Sequence, residues 1–478
     1  MSVRLNMPAR YPRLHCRTAQ LLLFVLFFCA KISQAELPTL GDPTLDSIST
    51  REEAQLGLYY YRSLKASLPI IDDIQLNYYL ESLAQKLITQ SDEAGRKFTF
   101  FIVQSPVINA FALPAGYIGV HSGLFLDADN ESQLASVLAH EISHVTQRHL
   151  ARMIDESGSS IAINIATLLA AILVGSQNSE AGQAVLMGGL AGAQQSSINF
   201  TRANEYEADR IGIGLLIEAG INPDGMVEFF EHLLDKSSGL QIEYIRTHPL
   251  DINRVTEAKN RIKDEHSDLP KNSEDFLFAK ARLAVLASNN NSLRKLIAAN
   301  EHNTGIIADY LRAIAYTKIN QPEKAITILE KLSNQHKHPW IKLALADAYY
   351  ANNEMEKALQ HLEQMNNLYP GYLPVTLAYT RALNADNKPE RSIELLLRQL
   401  RHDEYAEIYQ VLAQAYHLNG QTSAALESTG NQYVLQGYYE LALQQYNNAL
   451  KDKALNKTSR ARLETKKDEL LEIIKQRD

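Results

Sequence analysis

The sequence predicts an α+β region, mostly helical with a small β-sheet, followed by an all-α solenoid of helix pairs. Three observations carry that reading. Residues 98–121 hold short aromatic and β-branched runs around a Pro-Ala-Gly turn, set among segments of helical periodicity. From Ala313 onward, small residues recur every 33 or 34 positions. Between the two, residues 263–275 turn polar and carry Pro270, which marks a boundary. With 478 residues, 45% of them apolar, the chain can bury several cores and is neither disordered nor collagen-like. A formal charge of −8, from 47 basic and 55 acidic residues with no basic stripe, argues against a nucleic-acid binder.

At the N-terminus, Arg4, Arg10, Arg13 and Arg17 precede an apolar run from Leu21 to Ala30, and Ser33-Gln34-Ala35 follows. That order predicts a secretory signal peptide over residues 1–35, cleaved after Ala35. The run is too short to span a bilayer, which disfavours an uncleaved membrane anchor. Phe28 sits where lipidation at Cys29 would want a small residue. Removing 1–35 takes away five basic residues and both cysteines, leaving 42 basic against 55 acidic residues, a charge of −13. No disulfide is then available, so stability must come from packing or metal. A bacterial periplasm suits such a chain.

Beyond the signal, Ala54, Leu56 and Leu58, then Ile74, Leu76, Tyr79, Leu80, Leu83 and Leu87, give helical spacing from about 50 to 90. Phe98–Val103 predicts a strand. Ala110–Leu113, the turn Pro114-Ala115-Gly116 and Tyr117–His121 predict a hairpin. Residues 131–152 predict a helix. Ile161–Val174 is an apolar run too short for a membrane span, followed by a Gly- and Ala-rich stretch at 181–193. Together they read as a buried helical hairpin or a cover over a site. The expected division is a first domain at 36–265, a linker at 266–275 and a second domain at 276–478.

The second domain is periodic. Ala313-x-x-Tyr316, Ala346-x-x-Tyr349, Thr380-x-x-Leu383 and Ala413-x-x-Tyr416 repeat, each followed by Ala325, Ala358, Ser392 or Ala425. Polar corners separate them: Asn320-Gln-Pro, Asn352-Asn-Glu, Asn387-Lys-Pro and Asn419-Gly-Gln. Small residues at a period near 34 resemble tetratricopeptide repeats. The single Trp340, after Pro339, reads as repeat core.

The chemistry lies in His140-Glu141-Ile142-Ser143-His144, an HExxH motif on the predicted helix. Four residues turn through about 400°, so the two imidazoles project from one face and can bind one zinc ion. Glu141 can then act as general base toward water. A third ligand is required. Leu150 stands where a metzincin would place histidine, and His149, half a turn round the helix from His140, reads as structural or surface. Asn204-Glu205-Tyr206-Glu207-Ala208-Asp209 offers a better candidate. Glu205 and Asp209, at i and i+4, share a helix face, so Glu205 can ligate zinc and Asp209 can accept a hydrogen bond from a ligand imidazole. Glu207 points roughly opposite. His248, before Pro249, is the next candidate, and Arg254 reads as structural.

HExxH, the later Asn-Glu-x-Glu-Ala-Asp and Asn109-Ala-Phe-Ala-Leu-Pro-Ala-Gly-Tyr-Ile118 together resemble the HtpX-type gluzincin metallopeptidases. The signal peptide and repeats resemble the periplasmic protease-chaperones among them. The resemblance implies a zincin-like fold, one zinc per chain held by His140, His144 and Glu205, and Glu141 as base. It also implies an edge strand, Asn109, Ala110, Phe111 and Ala112, to which extended substrate adds by β-augmentation. Ala115 departs from the glycine common at that turn, though a small residue should still allow it. Relatives carry His-Pro at His248, as a catalytic residue that either gates the zinc or stabilises the oxyanion. The clients implied are unfolded or misassembled outer-membrane proteins, with the repeats contacting the β-barrel assembly machinery. The rival expectation is a mainly non-proteolytic chaperone or assembly scaffold with conditional protease activity.

Overall fold

The computed structural model describes residues 49–152, 195–237, 242–263 and 268–475. The expected signal peptide, its cleavage site and the apolar run at 161–193 lie outside these residues. Helix α1 (Thr50–Ser67) opens with a capping box in which Ser49 accepts from the Glu52 amide and the Glu52 carboxylate accepts from Ser49. Strand β1 (Ile70–Ile71) leads to α2 (Ile74–Ile88), capped by Asp73, as the helical spacing predicted. Strands β2 (Thr99–Val103), β3 (Ala110–Leu113) and β4 (Tyr117–His121) complete a sheet of order β1-β2-β4-β3. β2 runs parallel to β4 in the middle, with β3 antiparallel to β4 at one edge. The predicted hairpin forms, and Ala115 takes φ 62° in its turn, a left-handed conformation that costs a residue with a Cβ about 1 kcal/mol.

The turn is held from outside the sheet. Glu53 on α1 accepts from the Ala115 amide, from Arg96 and from Arg148. Gly57 permits this approach, since a Cβ there would lie 2.1 Å from the Pro114 carbonyl oxygen. The sheet packs on α2, and on α3 (Ser122–Asp127) and α4 (Glu131–Thr146), the latter capped by Asn130. The helix expected over 131–152 breaks at Gln147–Arg148, where Arg148 has φ 52°. Helices α5 (Gln195–Glu218), α6 (Asp224–Ser237), α7 (Glu243–Thr247) and α8 (Ile252–Ile262) enclose the other face of α4.

Within the expected linker, 266–275, residues 271–275 are bonded to the elements on either side. Residues 271–273 bind α4: Ser132 donates to Lys271, Glu131 donates its amide to Asn272, and Ser273 donates to the Glu131 carboxylate. Ser273 also caps α9 (Glu274–Leu286), so Glu274 and Asp275 are already helical. From α9 one core continues across the expected boundary, with Phe125 stacked on Phe276 at 5.9 Å. Arg282 reaches back to Asp73 in a bidentate pair.

Helices α10 (Asn290–Ala299) to α20 (Lys457–Lys475) follow, each packed on its neighbours in the chain. Residues of the predicted period are the contact points: Ala313, Ala325, Ala346, Ala358, Thr380 and Ser392 are buried. The polar corners have a conformational cause. Asn320, Asn353, Asn387 and Gly420 all take positive φ just past a helix end, the left-handed C-terminal cap that asparagine and glycine adopt at least cost. Trp340 is buried as expected, and its indole donates to Asp275. Among the described residues no helix is long and apolar enough to cross a membrane.

Candidate metal centre

Three elements meet at the HExxH motif. Helix α4 presents His140 and His144 one turn apart, α5 presents Glu205 and Asp209, and the end of α7 presents His248, whose amide donates to Tyr244. The donor atoms converge. His140 Nε2 lies 3.0 Å from His144 Nε2 and 3.3 Å from Glu205 Oε2, and His144 Nε2 lies 3.4 Å from Glu205 Oε1. His248 Nδ1 is 3.2 Å from both His140 Nε2 and Glu205 Oε1. Zinc bonds of about 2.0–2.1 Å put neighbouring ligand atoms about 3.3–3.4 Å apart, so one ligand atom from each of these four residues could hold one such ion. They form the metal-sized cluster found among the described residues.

The surroundings set orientation. Asp209 Oδ1 accepts from His140 Nδ1 at 2.9 Å, which turns Nε2 toward the cluster. Arg254 donates twice to Asp209, at 2.7 and 2.8 Å, pairs with Glu205 at 3.0 Å and donates to the Pro249 carbonyl. Burial opposes charge on His140, but hydrogen bonds to Asp209 and Glu205 outweigh it and hold its pKa at about 9. Burial pushes His144 down to about 3. Burial also opposes ionisation of Glu205, yet His248, His140 and His144 hold it well below the usual range.

Glu141 is fully buried beside the cluster, 3.3 Å from His248 Nε2, and neither carboxylate oxygen has a hydrogen-bond partner among the described residues. Burial raises its pKa against the pull of His248, His140 and the Ala112 amide. That amide belongs to β3. Because the His121 amide donates to Asn109, residues 109, 111 and 113 pair with β4. The main-chain groups of Ala110 and Ala112 therefore point to the free edge. Asn109 and Phe111, also expected to meet substrate, have buried side chains and main-chain groups turned inward.

Three residues carry more than their sequence reading. His149 is buried and lies 2.8 Å from His144, because the break at Arg148 redirects the chain after α4. Glu207 contacts His149. Arg254 joins two carboxylates of the site. Its signal was present in the sequence: Arg254, Ala258 and Ile262 share the buried stripe of α8, and arginine in such a stripe implies a buried anion.

Residues 75–262 match Peptidase family M48. A β-barrel assembly-enhancing protease of Escherichia coli (strain K12) is 33% identical over 447 residues, covering 91% of each chain. The chain belongs to Peptidase family M48. Another β-barrel assembly-enhancing protease, from Yersinia pestis, is 32% identical over 447 residues and 92% of each chain. Metalloprotease LoiP of Escherichia coli (strain K12) is 28% identical over 168 residues, 35% of this chain and 64% of that protein. As an M48 member with an intact HExxH motif the chain is a metallopeptidase, and the expected fold, an α+β peptidase region followed by helical repeats, holds.

Proposed function

We propose that this chain is a periplasmic zinc endopeptidase and chaperone acting on unfolded or misassembled outer-membrane β-barrel proteins. The observation that carries the reading is a convergent set of donors with the buried carboxylate of Glu141 beside it. The names of the long relatives, β-barrel assembly-enhancing proteases, support a role in β-barrel protein assembly. In this reading His140, His144 and Glu205 hold one zinc, which supplies Lewis-acid activation of water and of the scissile carbonyl. An extended client adds to the free edge at Ala110 and Ala112, which aligns its main chain beside Glu141. Glu141 takes a proton from the attacking water and carries it to the leaving nitrogen. His248, whose Nδ1 lies within the donor set, would act as a gate that leaves the set when its loop moves. Residues 276–478 recruit the assembly machinery through the repeats.

Glu141→Gln tests the base. It should keep zinc and lower peptide turnover by about 10²–10⁴-fold. Undiminished turnover would remove Glu141 from the mechanism. Full complementation by a turnover-dead variant would instead favour the scaffold reading.

A further inference from the structure

The motif region contains a second line of polar contacts that leads away from the donor set. His144 offers Nε2 to the cluster, and its Nδ1 lies 2.8 Å from His149 Nδ1. On the far side of the ring, His149 Nε2 lies 3.1 Å from Glu207 Oε2, and the same oxygen accepts from Arg152 at 2.7 Å. His149 is buried, whereas Glu207 is partly open to solvent. Helical geometry across residues 140–149 would not give this arrangement. It depends on the left-handed residue Arg148, which turns the chain so that His149 folds back under His144.

The donors and acceptors admit one assignment. With its Nε2 lone pair given to a metal, neutral His144 carries its proton on Nδ1 and must donate there. His149 Nδ1 must then accept, which leaves the His149 proton on Nε2. The Glu207 carboxylate, held by Arg152, accepts that proton's hydrogen bond. Each imidazole thus fixes the tautomer of the other, and the chain ends on an anion. Such a chain raises ligand basicity and fixes ring orientation.

We infer that His149 is a positioning residue that, anchored by Glu207, orients His144 for metal. This rests on the proposed zinc site. It complements Asp209, which does the same for His140 from the opposite side, so each motif histidine has its own outer partner.

The test measures zinc affinity, by competition with a chelating indicator, and the visible absorption of the cobalt-substituted protein. His149→Phe keeps a buried ring but neither accepts nor donates, and should weaken zinc about 10–100-fold and shift the cobalt bands. His149→Gln, with an amide oxygen to accept and an amide N–H to donate, should restore affinity to within about threefold, since both hydrogen bonds are retained. Glu207→Leu, at a partly exposed position outside the buried ring, should weaken zinc several-fold and provides the reading should His149→Phe fail to fold. A purely structural His149 would lower the melting temperature of the His149→Phe protein in chelator but leave zinc affinity and cobalt spectrum unchanged, which would overturn the inference. So would wild-type affinity in Glu207→Leu. A wild-type protein that binds no zinc would instead fail the metal-site reading, and this inference with it.

Discussion

Replacing Arg254 with methionine keeps most of the stem and removes the guanidinium. Arg254 is 2% exposed, so screening by solvent gives little relief. It faces Asp209 at 2.7 Å and Glu205 at 3.0 Å. At an effective dielectric of about 20, a unit charge 3 Å from a carboxylate is worth about 5 kcal/mol. Two such contacts total about 10 kcal/mol gross, from which the desolvation of the guanidinium, several kcal/mol, must be subtracted. The net cost of leaving Asp209 and Glu205 short of their cation is therefore about 3–5 kcal/mol, the range for breaking one side of a buried pair. Urea unfolding of wild type and Arg254→Met at pH 7.5, in chelator, reads this directly as a fall in midpoint with little change in slope. Adding zinc should shrink the gap, because the ion neutralises Glu205 in place of the arginine. A loss below about 1 kcal/mol in chelator, the worth of a surface pair, would show that the cluster is not desolvated as the structure has it.

Three further outcomes follow from other contacts. His248→Ala should retain zinc through the remaining ligands and cleave unstructured peptides faster at rest. A zinc-loaded variant slowed by about 10²-fold would make His248 an oxyanion donor instead. Glu81 on α2 meets Tyr405 of the repeats, and burial pushes its carboxyl up to about 7. Its raised folded pKa means that its stability contribution is full below about pH 4.5 and lost as pH rises through about 7. Glu81→Gln should therefore be more stable than wild type at pH 8, by about 1–3 kcal/mol, and match it at about pH 4; no gap at pH 8 would count against the buried contact. Ser273→Ala removes the cap of α9 and the hydroxyl bond to Glu131, and should cost about 1–2 kcal/mol in the full chain by denaturant titration.

What could be read from the chain alone was periodic or local. The HExxH spacing, the i, i+4 pair Glu205 and Asp209, the hairpin at 110–121 and the repeat period each follow from the fixed pitch of a helix or the alternation of a strand. Even the polar corners at Asn320, Asn353 and Asn387 are local, being the cheapest residues for a left-handed helix end. The rest depended on where helices stop and what they meet. The periodicity of 131–152 carries no sign that Arg148 takes a positive φ, so a helical wheel sends His149 away from His144 when the folded chain brings it back. Arg254, 45 residues from Asp209, becomes part of the site only when α8 crosses α5. The free edge at Ala110 and Ala112 is set by which residues pair with β4, and one step of register would have exchanged them for Phe111 and Leu113. The expected linker shows the same dependence: polar residues can exchange water for helix ends, and Lys271 and Asn272 accept from the open first-turn amides of α4. Side-chain type and spacing decide which groups a chain can offer, whereas hydrogen-bond partners between distant segments exist only once packing has placed them.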